Sequence, residues 1–217
     1  MIKKADKVFI LFMLLGLLFA TGAGVYSYNQ YKKRLREKFS DEVKMSSNLF
    51  KTRLDMNERL LKSLTSLFDA STFVNREQFK TFVTPILDDY SFIHALEWIP
   101  IVTQDQRRDF ESKAVEDGHG GFTFTERKQQ GKMVTSDIKK IYYPVYYMEP
   151  YERNKAALGF DLGSSPTRLK TLEQARDSGT SIATGKITLV QEKGSQAGIL
   201  MIAPIYSGPV TDIDRKS

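Results

Sequence analysis

Cysteine is absent from this 217-residue chain, and histidine occurs only twice, as His94 and His119. Without cysteine the chain can form no disulfide bond, no thiolate nucleophile and no cysteine-ligated metal site. Two histidines are too few for the common histidine-rich zinc sites. We therefore predict that the chain holds no metal ion and no cofactor.

Short catalytic motifs are also missing. The chain has no His-Glu-x-x-His pair, and Gly163-Ser164-Ser165-Pro166 is not a nucleophile elbow. The glycine-rich stretch 117–121 lacks the Lys-Ser/Thr partner of a phosphate-binding loop, so we interpret it as a turn. We predict that the chain is not an enzyme. A hydrolase remains an alternative, and its candidate carboxylates are Glu97, Glu149 and Asp161.

Charge is absent from the stretch between Val8 and Tyr28. A bilayer-spanning helix needs about 20 such residues. We therefore predict a cytoplasmic tail at 1–7 and a transmembrane helix at 8–28. A cleaved signal peptide is the alternative, with a weak site at 20–23, but the apolar run is longer than such a peptide uses.

Basic residues lie on both sides of this span, and the chain carries a net charge of +6. Lys3, Lys4 and Lys7 precede it, whereas five basic residues lie between 32 and 38. The second cluster suits anionic lipid head groups better than nucleic acid. Counted alone, the positive charges slightly favour a cytoplasmic body for the protein.

Proline and glycine are both missing from 29–70. Apolar residues recur there at spacings of three and four, which predicts one face of a long amphipathic helix. The helix either packs against its own domain or forms a stalk that pairs with a second copy, and both arrangements can coexist. The apolar positions of this face are Leu35, Phe39, Val43, Phe50, Leu54, Leu60, Leu61, Leu64 and Phe68.

The remaining chain, 71–207, predicts an α+β domain: an antiparallel sheet with helices packed on one face. Asn75 and Gln78 form a capping-box pattern for one helix, which Pro85 should kink or end. A second helix occupies 103–115. A third occupies 166–178, with Pro166 at its first position and Gly179 as its stop. The predicted strands are 92–101, 122–126, 141–147, 157–162, 186–192 and 198–206.

Five short segments follow one another along the chain: FIHALEWIP at 92–100, YPVYYMEP at 143–150, GFDL at 159–162, Ala175-Arg176 followed by Gly179, and PIY at 204–206. In this order they resemble the CHASE domain, the extracytoplasmic sensor of many bacterial signalling proteins and of plant cytokinin receptors.

The resemblance implies a long amino-terminal helix followed by a PAS-like domain, in a protein that forms a homodimer through the long helix. It also places 29–217 outside the cytoplasm, in the periplasm, with the span in the plasma (inner) membrane. We adopt this placement in preference to the cytoplasmic one that the positive charges alone favour. Family members continue into a membrane-proximal unit, a second membrane helix and an output domain. We therefore expect 208–217 to begin a segment that is missing, in a fragment or a truncated copy.

The resemblance also implies a small-molecule site. Asp161 matches the aspartate that binds adenine in the cytokinin-binding members, so an adenine-type ligand is one possibility. From the residues alone, Asp161 is either a polar anchor in an apolar pocket or the cap of a nearby turn or helix. The other candidate ligand-binding residues are Leu162, Tyr143, Tyr146, Trp98, Thr184 and Leu189, and the aromatic ones suit a core equally well.

We thus predict a membrane-anchored sensor that binds a small molecule and signals to an output domain, a histidine kinase or cyclic-di-GMP enzyme, outside this chain. The alternative is a membrane-tethered adaptor that binds another protein and no small ligand.

Overall fold

A computed structural model describes residues 4–128, 131–190 and 197–206, with side chains from residue 10 onward. The chain divides into two compact units, Met1–Asp55 and Met56–Ser217. The predicted segment 208–217 and the last two residues of the predicted strand 186–192 lie outside the described residues.

The first helix, α1, spans Lys4–Asp69. It contains both the predicted transmembrane segment and the predicted stalk, because no proline interrupts this part of the chain. Within the described residues it is the one helix long and apolar enough to cross a membrane, judged by length and composition.

The other helices are α2 (Arg76–Asp89), α3 (Gln104–Glu116), α4 (Tyr151–Asn154) and α5 (Pro166–Ser178). The predicted capping box is confirmed: Asn75 Oδ1 accepts from the Gln78 N–H at 2.9 Å, and Gln78 Oε1 accepts from the Asn75 N–H at 3.0 Å. Gly179 ends α5 in the left-handed conformation, with φ of 69°.

The helix α2 continues through Pro85 to Asp89 instead of ending near the proline. Its buried residues, Phe79, Val83 and Leu87, lie on both sides of Pro85. Burial of this apolar face outweighs the one backbone hydrogen bond that a proline removes.

Ten short strands are described, and all of their pairings are antiparallel. The pairs are β1–β6, β2–β5, β3–β4, β7–β10 and β8–β9. The strands are β1 (Leu96–Trp98), β2 (Val102–Thr103), β3 (Thr125–Arg127), β4 (Met133–Thr135), β5 (Ile141–Tyr142), β6 (Tyr147–Glu149), β7 (Ile182–Ala183), β8 (Ile187–Thr188), β9 (Ala197–Gly198) and β10 (Met201–Ile202).

The α+β class and the antiparallel pairing are confirmed. The strands are shorter than predicted, because prolines interrupt two of the predicted runs. Pro100 separates β1 from β2, and Pro144 lies between β5 and β6. Proline has no N–H for a ladder bond, so each run is divided at that point.

The β1–β6 pair separates two hydrophobic clusters. In its register Leu96 lies opposite Glu149, and Glu97 lies opposite Met148. Leu96 packs into a cluster with the end of α1 and with α2, whereas Met148 belongs to the second cluster, which Leu172 of α5 joins. Because side chains alternate along a strand, Glu97 projects toward the second cluster, and Glu149 projects away from it.

Candidate functional site

Asp161 lies where two other segments meet. Its backbone N–H donates to the Thr125 carbonyl at 2.8 Å, and the next N–H, that of Leu162, donates to the Tyr143 carbonyl at 2.9 Å. An isolated antiparallel bridge also joins Asp161 to Pro144. These backbone bonds hold the Asp161 side chain in the interior, where it is 0% exposed.

Protein groups occupy both oxygens of the Asp161 carboxylate. Oδ1 accepts from the backbone N–H groups of Tyr143 at 2.9 Å and Gly163 at 3.0 Å. Oδ2 accepts from Lys139 Nζ at 2.8 Å. The bond from Gly163 caps a 3-10 turn at Leu162–Ser164, the local role that was the alternative to ligand binding.

Lys139 connects Asp161 to a second acid. Its Nζ also lies 2.7 Å from Glu126 Oε2. Lys128 Nζ then lies 2.6 Å from Glu126 Oε1 and 2.6 Å from Asp137 Oδ2. We call these five residues the Asp161 network.

Within this network, Glu126 and Lys139 form an ion pair, and each favours the charged form of the other. Burial alone would raise the pKa of Glu126, but hydrogen bonds from Lys128, Lys139 and Ser136 lower it to about 2. Burial acts to lower the pKa of Lys139, and the hydrogen bonds to Asp161 and Glu126 raise it overall. The charged forms of Glu126 and Lys139 are therefore favoured.

A large cavity of about 1660 Å³ lies within the second unit. Its walls come from the last turns of α1, from 91–101, from α5 and from 197–206. Ligand sites commonly have volumes of about 300–1,000 Å³. The large cavity therefore has room for a small organic molecule.

Two polar atoms in the wall of the large cavity have no hydrogen-bond partner among the described residues. They are Asn57 Oδ1 and His94 Nε2, and both are buried. An unpaired buried polar atom costs about 1–3 kcal/mol, so such atoms usually have a partner or a function.

A small chamber of about 20 Å³ adjoins the large cavity. Glu97, Leu189 and Leu200 line both spaces, so these three side chains lie at the boundary between them. Arg168 and Glu97 are its charged residues. Its apolar residues are Val145, Ala157, Phe160, Leu162, Leu189, Val190 and Leu200.

Glu97 and Arg168, the two charged residues of the small chamber, have few hydrogen-bond partners for their charged groups. The carboxylate of Glu97 forms no hydrogen bond or ion pair with any residue the structure describes, although Arg168 is near enough to act on it electrostatically. Burial raises the pKa of Glu97 to about 7, although Arg168 acts in the opposite direction. Burial lowers the pKa of Arg168, and Arg127 lowers it further.

The sequence model of the CHASE domain matches residues 72–217 of the chain. This chain belongs to the CHASE domain family. CHASE domains are extracytoplasmic sensor domains of signalling proteins, so the predicted family and general role are confirmed. A search of curated proteins finds no match for the chain.

The CHASE domain brings some of the predicted ligand-binding residues together. Trp98, Tyr143 and Leu189 line the large cavity, and Leu189 also lines the small chamber together with Leu162. Asp161, Tyr146 and Thr184 line neither space.

Tyr146 and Thr184 instead hold parts of the CHASE domain together. Tyr146 donates to the Phe110 carbonyl of α3 at 3.1 Å, and burial raises its pKa to about 12. Thr184 donates its N–H to the Leu200 carbonyl at 2.8 Å, and its Oγ1 accepts from the Leu200 N–H at 3.0 Å. This reciprocal pair fixes one wall of the large cavity.

Sequence reasoning missed Arg168 as a site residue and considered Glu97 only for catalysis. The spacing of residues on α5 indicates that Arg168 is buried, because it lies four residues before Leu172 and seven before Ala175 on the buried side of the helix. A charged residue on the buried side of a helix is either paired or functional. No signal in the sequence indicated that Leu200 lies beside Glu97.

Among the described residues, no group of three or more His, Asp or Glu side chains is placed to hold a metal ion.

Proposed function

We propose that this chain is the membrane-anchored sensor of a signalling protein and that it binds a small organic molecule in the large cavity. The cavity carries this proposal, because it combines apolar walls with the unpartnered atoms Asn57 Oδ1 and His94 Nε2. An apolar cavity with a few polar groups is the usual form of a small-molecule site.

Residues 8–28 anchor the chain in the plasma (inner) membrane, and 29–217 lie in the periplasm. Membership of an extracytoplasmic family and the apolar start of α1 support this arrangement. An alkaline phosphatase fusion after Tyr206 should be active, because this enzyme works only outside the cytoplasm. An inactive but intact fusion would contradict the placement.

The helix α1 passes the signal toward the membrane. Its last turns line the large cavity through Leu60, Leu64 and Phe68, and the same helix contains the apolar segment. A ligand shifts an equilibrium only by binding one state more tightly than the other. We propose that the ligand favours one packing of these three side chains, and that an output domain outside these 217 residues responds.

A second copy of the chain packs against the stalk part of α1. Its apolar face is exposed in the single chain: Leu35 is 55% exposed, Phe39 69% and Val43 51%. Residues four apart lie on the same side of a helix, so these side chains form one apolar stripe that a second helix can cover. Cysteine substitution at Phe39 should give a disulfide-linked dimer in membranes, whereas substitution at Lys38, on another side of the helix, should give much less.

The two histidines allow a matched test of the ligand site. His94 lines the large cavity, whereas His119 packs against the Tyr151 ring, 5.0 Å between centroids. A thermal-shift screen of the purified chain should identify stabilising small molecules. His94→Ala should reduce their effect, and His119→Ala should leave it unchanged. Adenine derivatives belong in this screen beside amino acids, organic acids and peptides.

A protein-binding adaptor is the second candidate. Phe73 is 66% exposed, and Ile101 and Ile199 are each 53% exposed, although all three line the large cavity. Such a rim could receive apolar side chains of a partner. A screen without any stabilising small molecule would favour this adaptor.

We also propose that the chain itself catalyses no reaction. Glu97 and Glu149 project from opposite faces of the β1–β6 pair, and protein groups occupy both Asp161 oxygens. The three carboxylates therefore do not converge on one substrate. Generic ester, phosphate and glycoside substrates should remain unhydrolysed by the purified chain.

A further inference from the structure

Arg168 is a buried cation with an incomplete set of partners. Its residue is 8% exposed, and one guanidinium nitrogen donates to the Thr188 carbonyl at 2.8 Å. The guanidinium lies over the Phe160 ring, 5.3 Å from its centroid. Arg168 Nε is buried and has no acceptor among the described residues. A buried charged donor of this kind needs an anionic acceptor.

The charges around the chamber favour an anion over a cation. Arg168 lines the chamber, and Arg127 is near enough to lower its pKa. Arg127 donates to the carbonyl of Val190, a chamber residue, and its own Nε also lacks a partner in the described part of the chain. Arg168 and Glu97 are the charged residues of the chamber lining, and Arg127 adds a second positive charge close behind it.

We propose that the small chamber binds the carboxylate of an organic acid whose apolar body occupies the large cavity. This inference rests on the proposed sensor function and names the chemical class of its ligand. One carboxylate oxygen accepts from Arg168 Nε, and the other accepts a hydrogen bond from the protonated carboxyl of Glu97.

The dimensions of the two spaces fit this division of the ligand. A volume of about 20 Å³ holds one or two polar atoms, since a single water needs about 10–15 Å³. Glu97, Leu189 and Leu200 line both spaces, so a ligand that reaches from one space into the other contacts these three side chains. A compact head group thus enters the chamber while a larger apolar body stays outside it.

Glu97 couples this binding to protonation. Two carboxylates in contact cannot both be ionised without repulsion, so the pair shares one proton. The pKa of Glu97 is about 7 in the free chain, and a bound carboxylate raises it further. Binding near neutral pH therefore takes up a proton, and the affinity should fall about tenfold per pH unit above pH 7.

The test is isothermal titration of the full chain in detergent micelles with isosteric probe sets. Acetate, hexanoate, benzoate and phenylacetate are compared with the corresponding amines and amides. We expect carboxylates with an apolar body to bind and the amines and amides to bind at least tenfold more weakly. Titrations in buffers of different ionisation enthalpy should show uptake of about one proton at pH 7.5.

Variants separate the roles of the two chamber residues. Arg168→Gln should weaken carboxylate binding about thirtyfold or more. Glu97→Gln should still bind carboxylates at pH 6, and its carboxylate affinity should no longer decline above pH 7. The matched control is Lys170→Gln, because Lys170 is exposed on the same helix as Arg168 and lines neither space. If Arg168→Gln does not fold, Arg168→Lys tests the same contact with the charge retained.

Each failure has a distinct meaning. If amines or amides bind best, or if Arg168→Gln and Arg168→Lys bind carboxylates like the wild type, the carboxylate subsite is wrong while the sensor function stands. A ligand from the wider screen that is insensitive to these variants has the same consequence. If no small molecule binds, both proposals fail.

Discussion

Two acidic side chains in the second unit have opposite surroundings. Asp161 is fully buried and accepts hydrogen bonds from two backbone N–H groups and from Lys139. Glu97 is only partly buried, yet it has no hydrogen-bond partner among the described residues. The comparison shows that deep burial of an acid indicates a structural role when its oxygens are occupied. An acid without partners in a cavity wall is the better candidate for ligand contact.

The largest effect on stability is expected from the replacement of Asp161. Asp161→Ala should destabilise the chain by about 3–5 kcal/mol, because it removes one partner of a buried ion pair and leaves two N–H groups unpaired. A thermal melt should show this as a shift of roughly 6–15 °C. Asp137→Ala is the control, since Asp137 lies in the same network with a side chain that is 68% exposed. Equal shifts in the two variants would contradict the structural role of Asp161.

The packing around Asp161 can be tested separately from its charge. A Cβ atom at Gly163 would lie 2.8 Å from Tyr143 Cδ2 and 3.1 Å from Asp161 Oδ1. Gly163→Ala should therefore destabilise by about 1–3 kcal/mol. Gly185→Ala meets nothing within 4 Å and should have little effect on the same denaturant titration. Similar results for both would show that the site is looser than described.

The smallest effects should appear in the pH dependence of stability. The contributions of Glu97 and Glu126 to the free energy of unfolding change with pH in opposite directions. The pKa of Glu97 rises on folding from 4.5 to about 7, so the folded chain holds this proton more tightly. Stability therefore falls as pH rises from about 4.5 to about 7. Glu97→Gln should remove this fall and stabilise the chain above pH 7 by about 1–3 kcal/mol.

Glu126 provides the reverse case. Its pKa drops from 4.5 to about 2 in the folded chain, so its contribution is present above pH 4.5 and is lost as pH falls toward 2. Glu126→Gln should abolish that acid-side loss and leave the fall between about pH 4.5 and pH 7, which belongs to Glu97, unchanged. Melting temperatures between pH 3 and 8 would measure both slopes. Slopes of the same sign in the two variants would contradict the comparison.

Sequence reasoning succeeded where structure is set locally. The capping box of α2 and the left-handed stop of α5 involve residues within four positions of each other, so their side chains predict the helix ends. The strands were harder. Their pairings join distant segments, as when β1 meets β6, and the effect of Pro144 depends on the Asp161 segment that bridges to it.

The site could be predicted only in part for the same reason. Trp98, Tyr143 and Leu189 reach the large cavity, as expected from their apolar character. Asp161 was predicted to be either a ligand contact or a cap, and its bond to Lys139, 22 residues earlier in the chain, was not predicted. The meeting of Glu97 with Arg168 is likewise a product of tertiary packing, which one sequence does not display.

Trp98 gives the chain an internal optical probe, because it is the single tryptophan in the sequence. Its ring stacks on Phe68 at the end of α1, 5.5 Å between centroids, and also borders the large cavity. All indole fluorescence thus originates from one position that touches both the large cavity and the end of α1. Emission from the unmodified protein therefore reports on the surroundings of both in a single recording.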